Sequence, residues 1–103
     1  CDKAAEAARL HSLDMATNDY FSHTDLEGGN MGDRLSAQGV HWTSCGENII
    51  AGYYTGLSAY DGWVNSSGHR TNMLRSGYTN LGVGFAIGVS STYYIYGTQN
   101  FYS

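Results

Sequence analysis

Hydrophobic residues recur at helical spacing near the start of the chain and in strict alternation near its end. From residue 2 to about residue 19, the spacing predicts a helix. One face of this helix carries Ala4, Ala5, Ala8, Met15 and Ala16, with His11 and Ser12 between them. Because Leu10 and Leu13 fall on the opposite side, we expect the helix to pack on two faces, the second covered either by a segment missing from this chain or by a partner molecule.

Strict alternation near the C-terminus predicts a β-hairpin. The first strand carries the apolar row Leu81, Val83, Phe85, Ile87 and Val89. A turn over 88–92 and a second strand from Tyr93 to about Phe101 follow. Gly82 and Gly84 lie opposite the apolar row, where they leave room for close backbone packing or for a helix.

The middle of the chain predicts short elements. A helix is expected from Asp33 to about Gln38, with Gly39 just past its end, and an extended segment from Gly46 to Ala51. Two further helices are predicted over 55–65 and from 68 or 69 to 74. Helices followed by a hairpin indicate one α+β domain over 1–103, an antiparallel sheet with helices on one or both faces.

Charge and hydropathy exclude two classes of partner. The net charge is −4, and the five basic residues are scattered along the sequence. Nucleic-acid binding requires a basic patch, so this class is rejected. The chain also lacks a run of about 18 apolar residues, so no membrane span is predicted.

The two cysteines are Cys1 and Cys45. A disulfide between them is the favoured prediction, and closing this loop of about 45 residues could add about 4 kcal/mol of stability. Two unrelated thiols, or an acylated Cys1 of a lipoprotein, are the alternatives.

His23, Glu47 and His69 are the candidate chemical groups. Imidazole nitrogens and a carboxylate oxygen suit zinc and similar metals. However, no two histidines lie four apart on a helix, and spacing alone favours ordinary structural roles for all three residues.

Several motifs favour functional roles for these three residues instead. They are Phe21-Ser22-His23-Thr24-Asp25, Gly46-Glu47-Asn48-Ile49, Trp63 followed by the run 65–74, the segment 78–85 and Thr98-Gln99-Asn100-Phe101. In this order, and over nearly the whole chain, they resemble the bacterial branch of the CAP superfamily. These SCP-like domains are related to cysteine-rich secretory proteins, antigen 5 and plant pathogenesis-related 1 proteins.

The resemblance implies a secreted, three-layer α-β-α sandwich with a small antiparallel sheet, here lacking the family's first helix. It also implies a cleft with two histidines and two acidic residues that often binds a divalent cation. His23, Glu47 and His69 match three of these positions, whereas Ser66 stands at the fourth. Ser22, Asn48 and Ser66 are then expected to line the cleft.

We therefore expect a secreted protein that binds a ligand in its cleft and does not turn over a substrate. It would bind a divalent metal, zinc first, or a small molecule, lipid or cell-envelope component. One alternative is a metal-dependent hydrolase with Glu47 as general base. Another is a surface-adhesion module using Tyr53, Tyr54, Tyr93, Tyr94 and Tyr96, although tyrosines that simply cover the sheet are favoured over it. We also predict that Asp25 and Arg34 pair and brace the loop after His23.

Overall fold

A computed structural model describes residues 2–52, 77–89 and 91–103. Within these ranges lie two helices, α1 (Asp2–Asn18) and α2 (Met31–Ala37), and three strands, β1 (Cys45–Ala51), β2 (Asn80–Ile87) and β3 (Ile95–Tyr102). The strands form one antiparallel sheet in the order β1-β3-β2. The predicted α+β class is therefore confirmed. The helices predicted over 55–65 and 68–74 lie outside the described residues.

Helix α1 packs on the glycine side of β2. A Cβ added to Gly82 would lie 2.3 Å from the backbone C of Ala4, and one added to Gly84 would lie 2.3 Å from the backbone N of Arg9. Ser12 Oγ strengthens this contact by donating to Gly84 O at 2.9 Å. The prediction that Gly82 and Gly84 leave room for a helix is therefore confirmed, since α1 approaches the strand backbone at both positions.

The core lies between α1 and the sheet. One cluster contains Met15, Ala16, Ile49 and Tyr96, and a second joins α1 to α2 through Ala4, Ala7, Leu35, Val40 and Tyr102. The apolar row of β2 points to the other side of the sheet, where Leu81, Val83, Phe85 and Ile87 remain between 37% and 58% exposed. Neither described helix has the length and apolar character needed to cross a membrane.

Polar contacts fix the connection between α1 and α2. Asp19, with a φ of 51°, ends α1 and accepts hydrogen bonds from Thr92 N and Thr92 Oγ1 at 2.8 and 3.0 Å. Further along, Asp25 Oδ1 accepts a hydrogen bond from Gly29 N at 2.7 Å. Asn30 then caps α2 in a reciprocal capping box with Asp33. This sequence of turns brings Arg34 beneath the loop that carries His23.

Candidate functional site

Strand β1 delivers Glu47 to the face of the sheet that α1 covers. Glu47 pairs across the strands with Asn100, and Ile49, two residues further on, packs in the core against Met15. Since alternate residues of a strand share a face, Glu47 points toward the helices. Its side chain is only 3% exposed, so its carboxylate requires polar partners inside the protein.

His23 is one of these partners. Its Nδ1 lies 3.0 Å from Glu47 Oε1, although the two residues are 24 positions apart. An ionised carboxylate only accepts hydrogen bonds, so Nδ1 carries the proton. In the neutral ring the lone pair is then on Nε2. The His23 side chain is 59% exposed, so the site presents an imidazole that a buried carboxylate orients.

Arg34 is the second partner of Glu47. Its Nη2 donates to Glu47 Oε2 at 2.7 Å and to the backbone O of His23 at 3.0 Å. Its Nη1 lies 3.6 Å from Asp25 Oδ2, which agrees with the predicted pairing of these two residues. The shorter bond to Glu47 was not predicted, because no local pattern connects residues 13 positions apart that lie on different elements.

His11 supports the same loop from α1. Its Nε2 lies 2.9 Å from the backbone O of Ser22, and the residue is 1% exposed. A carbonyl only accepts, so Nε2 carries the proton. Burial lowers the pKa of His11 from its ordinary value, and the nearby positive charge of Arg34 lowers it further. The structure thus buries His11 against the loop that carries His23.

The remaining predicted cleft residues are divided between two sides of the sheet. Ser22 is exposed in the His23 loop, where its Oγ accepts a hydrogen bond from Thr24 N at 3.1 Å. Asn48 follows Glu47 in β1 and therefore lies on the opposite face. There it is fully buried and donates to Gln99 Oε1 at 3.0 Å. His69 and Ser66 lie outside the described residues.

The tyrosines considered for surface contacts also differ in exposure. Tyr96 is fully buried in the cluster with Met15, so its ring is not available to a partner. Tyr93 and Tyr94 are 48% and 40% exposed. Tyr53 and Tyr54 are not among the described residues.

Neither the metal site nor the disulfide is complete in the part of the chain that the structure describes. There, no three His, Cys, Asp or Glu side chains are grouped so that they could hold a metal ion. A metal bound at His23 would need a ligand from elsewhere, and His69 is the candidate that the sequence offers. Cys45 forms no disulfide with another described residue, and the pKa of its thiol is raised by burial and by the nearby charge of Glu47. Cys1 lies outside the described ranges, so its pairing stays a prediction.

Comparison with known sequences agrees with the resemblance to the CAP superfamily. The model of CAP, the cysteine-rich secretory protein family, matches residues 2–101. The uncharacterised membrane protein YlbC of Bacillus subtilis is 47% identical over 97 residues, which are 94% of this chain and 26% of YlbC. YkwD of the same organism is 36% identical over 81 residues, which are 79% of this chain and 32% of YkwD. The chain thus spans about a quarter to a third of the length of these relatives.

Solved structures resemble the fold closely. An extracellular protein from Bacillus anthracis that contains an SCP domain is 43% identical, with a TM-score of 0.84 over 97% of this chain and 31% of its own. An outer surface protein of Borrelia burgdorferi has a TM-score of 0.87 at 16% identity, over 100% of this chain and 74% of its own. At that identity, the second likeness concerns the fold alone.

Proposed function

Since the chain belongs to CAP, the cysteine-rich secretory protein family, we propose that it is an extracellular binding domain that does not turn over a substrate. Its cleft would hold a divalent metal, zinc first, or a small polar ligand through His23, Glu47 and His69, with Glu47 acting on the His23 ring rather than as a direct metal ligand. The related Bacillus anthracis protein is extracellular, which supports a place outside the cell. A lipid or a cell-envelope component is the other kind of ligand that this proposal admits.

The contact between His23 Nδ1 and Glu47 Oε1 at 3.0 Å carries the proposal. Histidines that bind metals commonly donate their other ring N–H to a carboxylate, which fixes the ring and raises the basicity of the ligating nitrogen. In this arrangement His23 would offer Nε2 to the metal, and His69 would supply a second imidazole. Two imidazoles leave coordination positions for water or a ligand, and nitrogen donors favour zinc over calcium or magnesium.

The hydrolase alternative finds less support in the same geometry. Glu47 Oε2 accepts a bond from Arg34 at 2.7 Å, and Oε1 faces the His23 ring. A general base must instead direct a lone pair at the proton that it removes. Turnover of a peptide, ester or cell-wall substrate that is lost in Glu47→Gln would nevertheless favour the hydrolase.

Thermal denaturation with added zinc tests the proposal. A ligand at ten times its dissociation constant stabilises the folded state by about 1.4 kcal/mol, which corresponds to a rise of about 6–11 °C in Tm for a domain of this size. We expect this rise in the wild type and its loss in His23→Ala and in His69→Ala.

His41→Ala is the matched control, because His41 is an exposed histidine outside the cleft. It should keep the full zinc-dependent rise in Tm. If zinc leaves the wild type and both cleft variants with unchanged melting temperatures, the domain does not bind zinc and the metal part of the proposal is wrong.

A further inference from the structure

Arg34 ties together the two segments that build the cleft. Its side chain is 12% exposed. The same Nη2 donates to the β1 side chain of Glu47 and to the backbone O of His23. Its Nη1 donates to the backbone O of Gly29 at 3.4 Å, further along the same loop. One guanidinium therefore sets the distance between the strand that carries Glu47 and the loop that carries His23.

This contact has a consequence for Glu47. If the carboxylate turned toward a metal ion, the largely buried guanidinium would lose its 2.7 Å bond to Glu47 and keep, among the described residues, only the more distant Asp25, at 3.6 Å, as a charged partner. Breaking a buried ion pair in this way is unfavourable. A planar guanidinium matches carboxylate geometry and loses little conformational freedom for each bond it makes. Arg34 thus keeps Glu47 in the position where Oε1 accepts the His23 Nδ1 proton.

We infer that Arg34 is a positioning residue that keeps Glu47 bonded to His23 and outside the coordination sphere of a bound metal. The site then offers imidazole nitrogen rather than carboxylate oxygen. Metals that accept nitrogen ligands, such as Zn²⁺, Cu²⁺, Ni²⁺ and Co²⁺, are selected over Ca²⁺ and Mg²⁺, which require oxygen ligands. This selectivity rests on the proposed metal binding, whereas the effect of Arg34 on the His23 ring does not.

The first measurement is metal binding by titration calorimetry with ZnCl₂ and, separately, CaCl₂. In the wild type, zinc should bind and calcium should not. Loss of the partner that orients a metal ligand typically weakens metal affinity about 10–100-fold, and we expect a loss of this size in Arg34→Gln. Arg34→Lys should be intermediate, because an ammonium can hold Glu47 but cannot reproduce the planar fork.

Arg9→Gln is the matched control. Arg9 also pairs with a glutamate, Glu6, at 2.6 Å, but both side chains are nearly half exposed on α1. Its removal should leave the zinc affinity unchanged. Arg34→Lys retains the charge, so it keeps the test decisive if Arg34→Gln does not fold.

The second measurement needs no metal. Nitrogen-15 NMR of the His23 ring, at about pH 8 where an ordinary imidazole is neutral, reports which nitrogen carries the proton. We expect the proton on Nδ1 in the wild type and a mixture of both tautomers in Arg34→Gln, with Arg9→Gln like the wild type.

The two measurements separate the possible failures. If zinc binds the wild type and Arg34→Gln equally well and the ring proton stays on Nδ1 in both, the role of Arg34 is refuted while the proposed function stands. If zinc does not bind but the ring proton depends on Arg34, the proposed function fails and the positioning role stands. A wild-type ring without its proton on Nδ1, or calcium binding as tight as zinc binding, overturns the inference.

Discussion

The contact between α1 and β2 predicts that one added methyl group will destabilise the whole fold. In Gly84→Ala, the new Cβ would lie 2.3 Å from the backbone N of Arg9 and 2.5 Å from its Cα. Non-bonded carbons prefer separations of about 3.5–4.0 Å, so helix and strand must separate by about 1 Å or more. The atoms that clash belong to helix backbone, and they cannot rotate away as the end of a side chain can.

The size of the effect follows from two opposing terms. Adding a carbon to a packed core costs about 1–3 kcal/mol, and a backbone clash places this substitution near 3. Replacing glycine within a strand stabilises the folded state by at most about 1 kcal/mol, because alanine loses less conformational freedom on folding. The net loss of about 2 kcal/mol corresponds to a fall of about 8–16 °C in Tm for a domain of this length.

Thermal melts followed by circular dichroism measure this loss. Gly77→Ala is the control, since a Cβ at Gly77 would have no atom of the described residues within 4 Å, and it should change stability by less than about 0.5 kcal/mol. If Gly84→Ala melts together with Gly77→Ala, the close approach of α1 to β2 is wrong, and with it the position of His11 beside the loop.

Two further predictions concern pH. The pKa of His11 is lowered by burial, so His11 binds a proton more readily in the unfolded chain than in the folded one. The free energy of unfolding should therefore fall as the pH decreases below about 6.5. Denaturant titrations over about pH 5–8 should show a flatter profile in His11→Gln but not in the exposed-site control His41→Gln, and identical profiles would contradict this reasoning. The pKa of Asp19 is lowered by its hydrogen bonds from Thr92, so its contribution is present above about pH 4 and is lost as the pH falls through the lowered pKa. Asp19→Asn should therefore melt below the wild type at neutral pH but together with it in acid, and a difference that persists in acid would rule out this origin.

Local periodicity predicted the described elements well, and backbone details account for the differences in their bounds. Helix α1 ends at Asn18 against an expected end near residue 19. Helix α2 begins at Met31 rather than Asp33, because Asp33 is the third residue of a turn capped by Asn30. Strand β3 begins at Ile95 rather than Tyr93, since Tyr94 has a φ of 70° and so interrupts the extended backbone.

The site was less accessible to sequence reasoning. The resemblance singled out His23 and Glu47, and the structure brings them together. It gave no reason to join Arg34 to Glu47, because that contact depends on how α2 and β1 meet in space. Strand alternation, by contrast, is enough to separate Asn48 from Glu47, since neighbouring residues of a strand point to opposite faces.

The loop that carries His23 is held mainly by polar contacts, which makes the site less stable than the fold. Its large side chains Phe21 and Leu26 are 45% and 67% exposed, so apolar burial contributes little between residues 21 and 29. Hydrogen bonds at Asp19, at the His23 ring and at the backbone O of Ser22 and of His23 hold it instead. Each of these contacts contributes only about 0.5–1.5 kcal/mol, against the 5–15 kcal/mol or so that is typical of a whole domain. The loop should therefore open while the sheet and α1 stay intact. Since Arg34 and His11, together with Glu47, restrain this loop at His23, changes at Arg34 or His11 should impair the cleft before they unfold the protein.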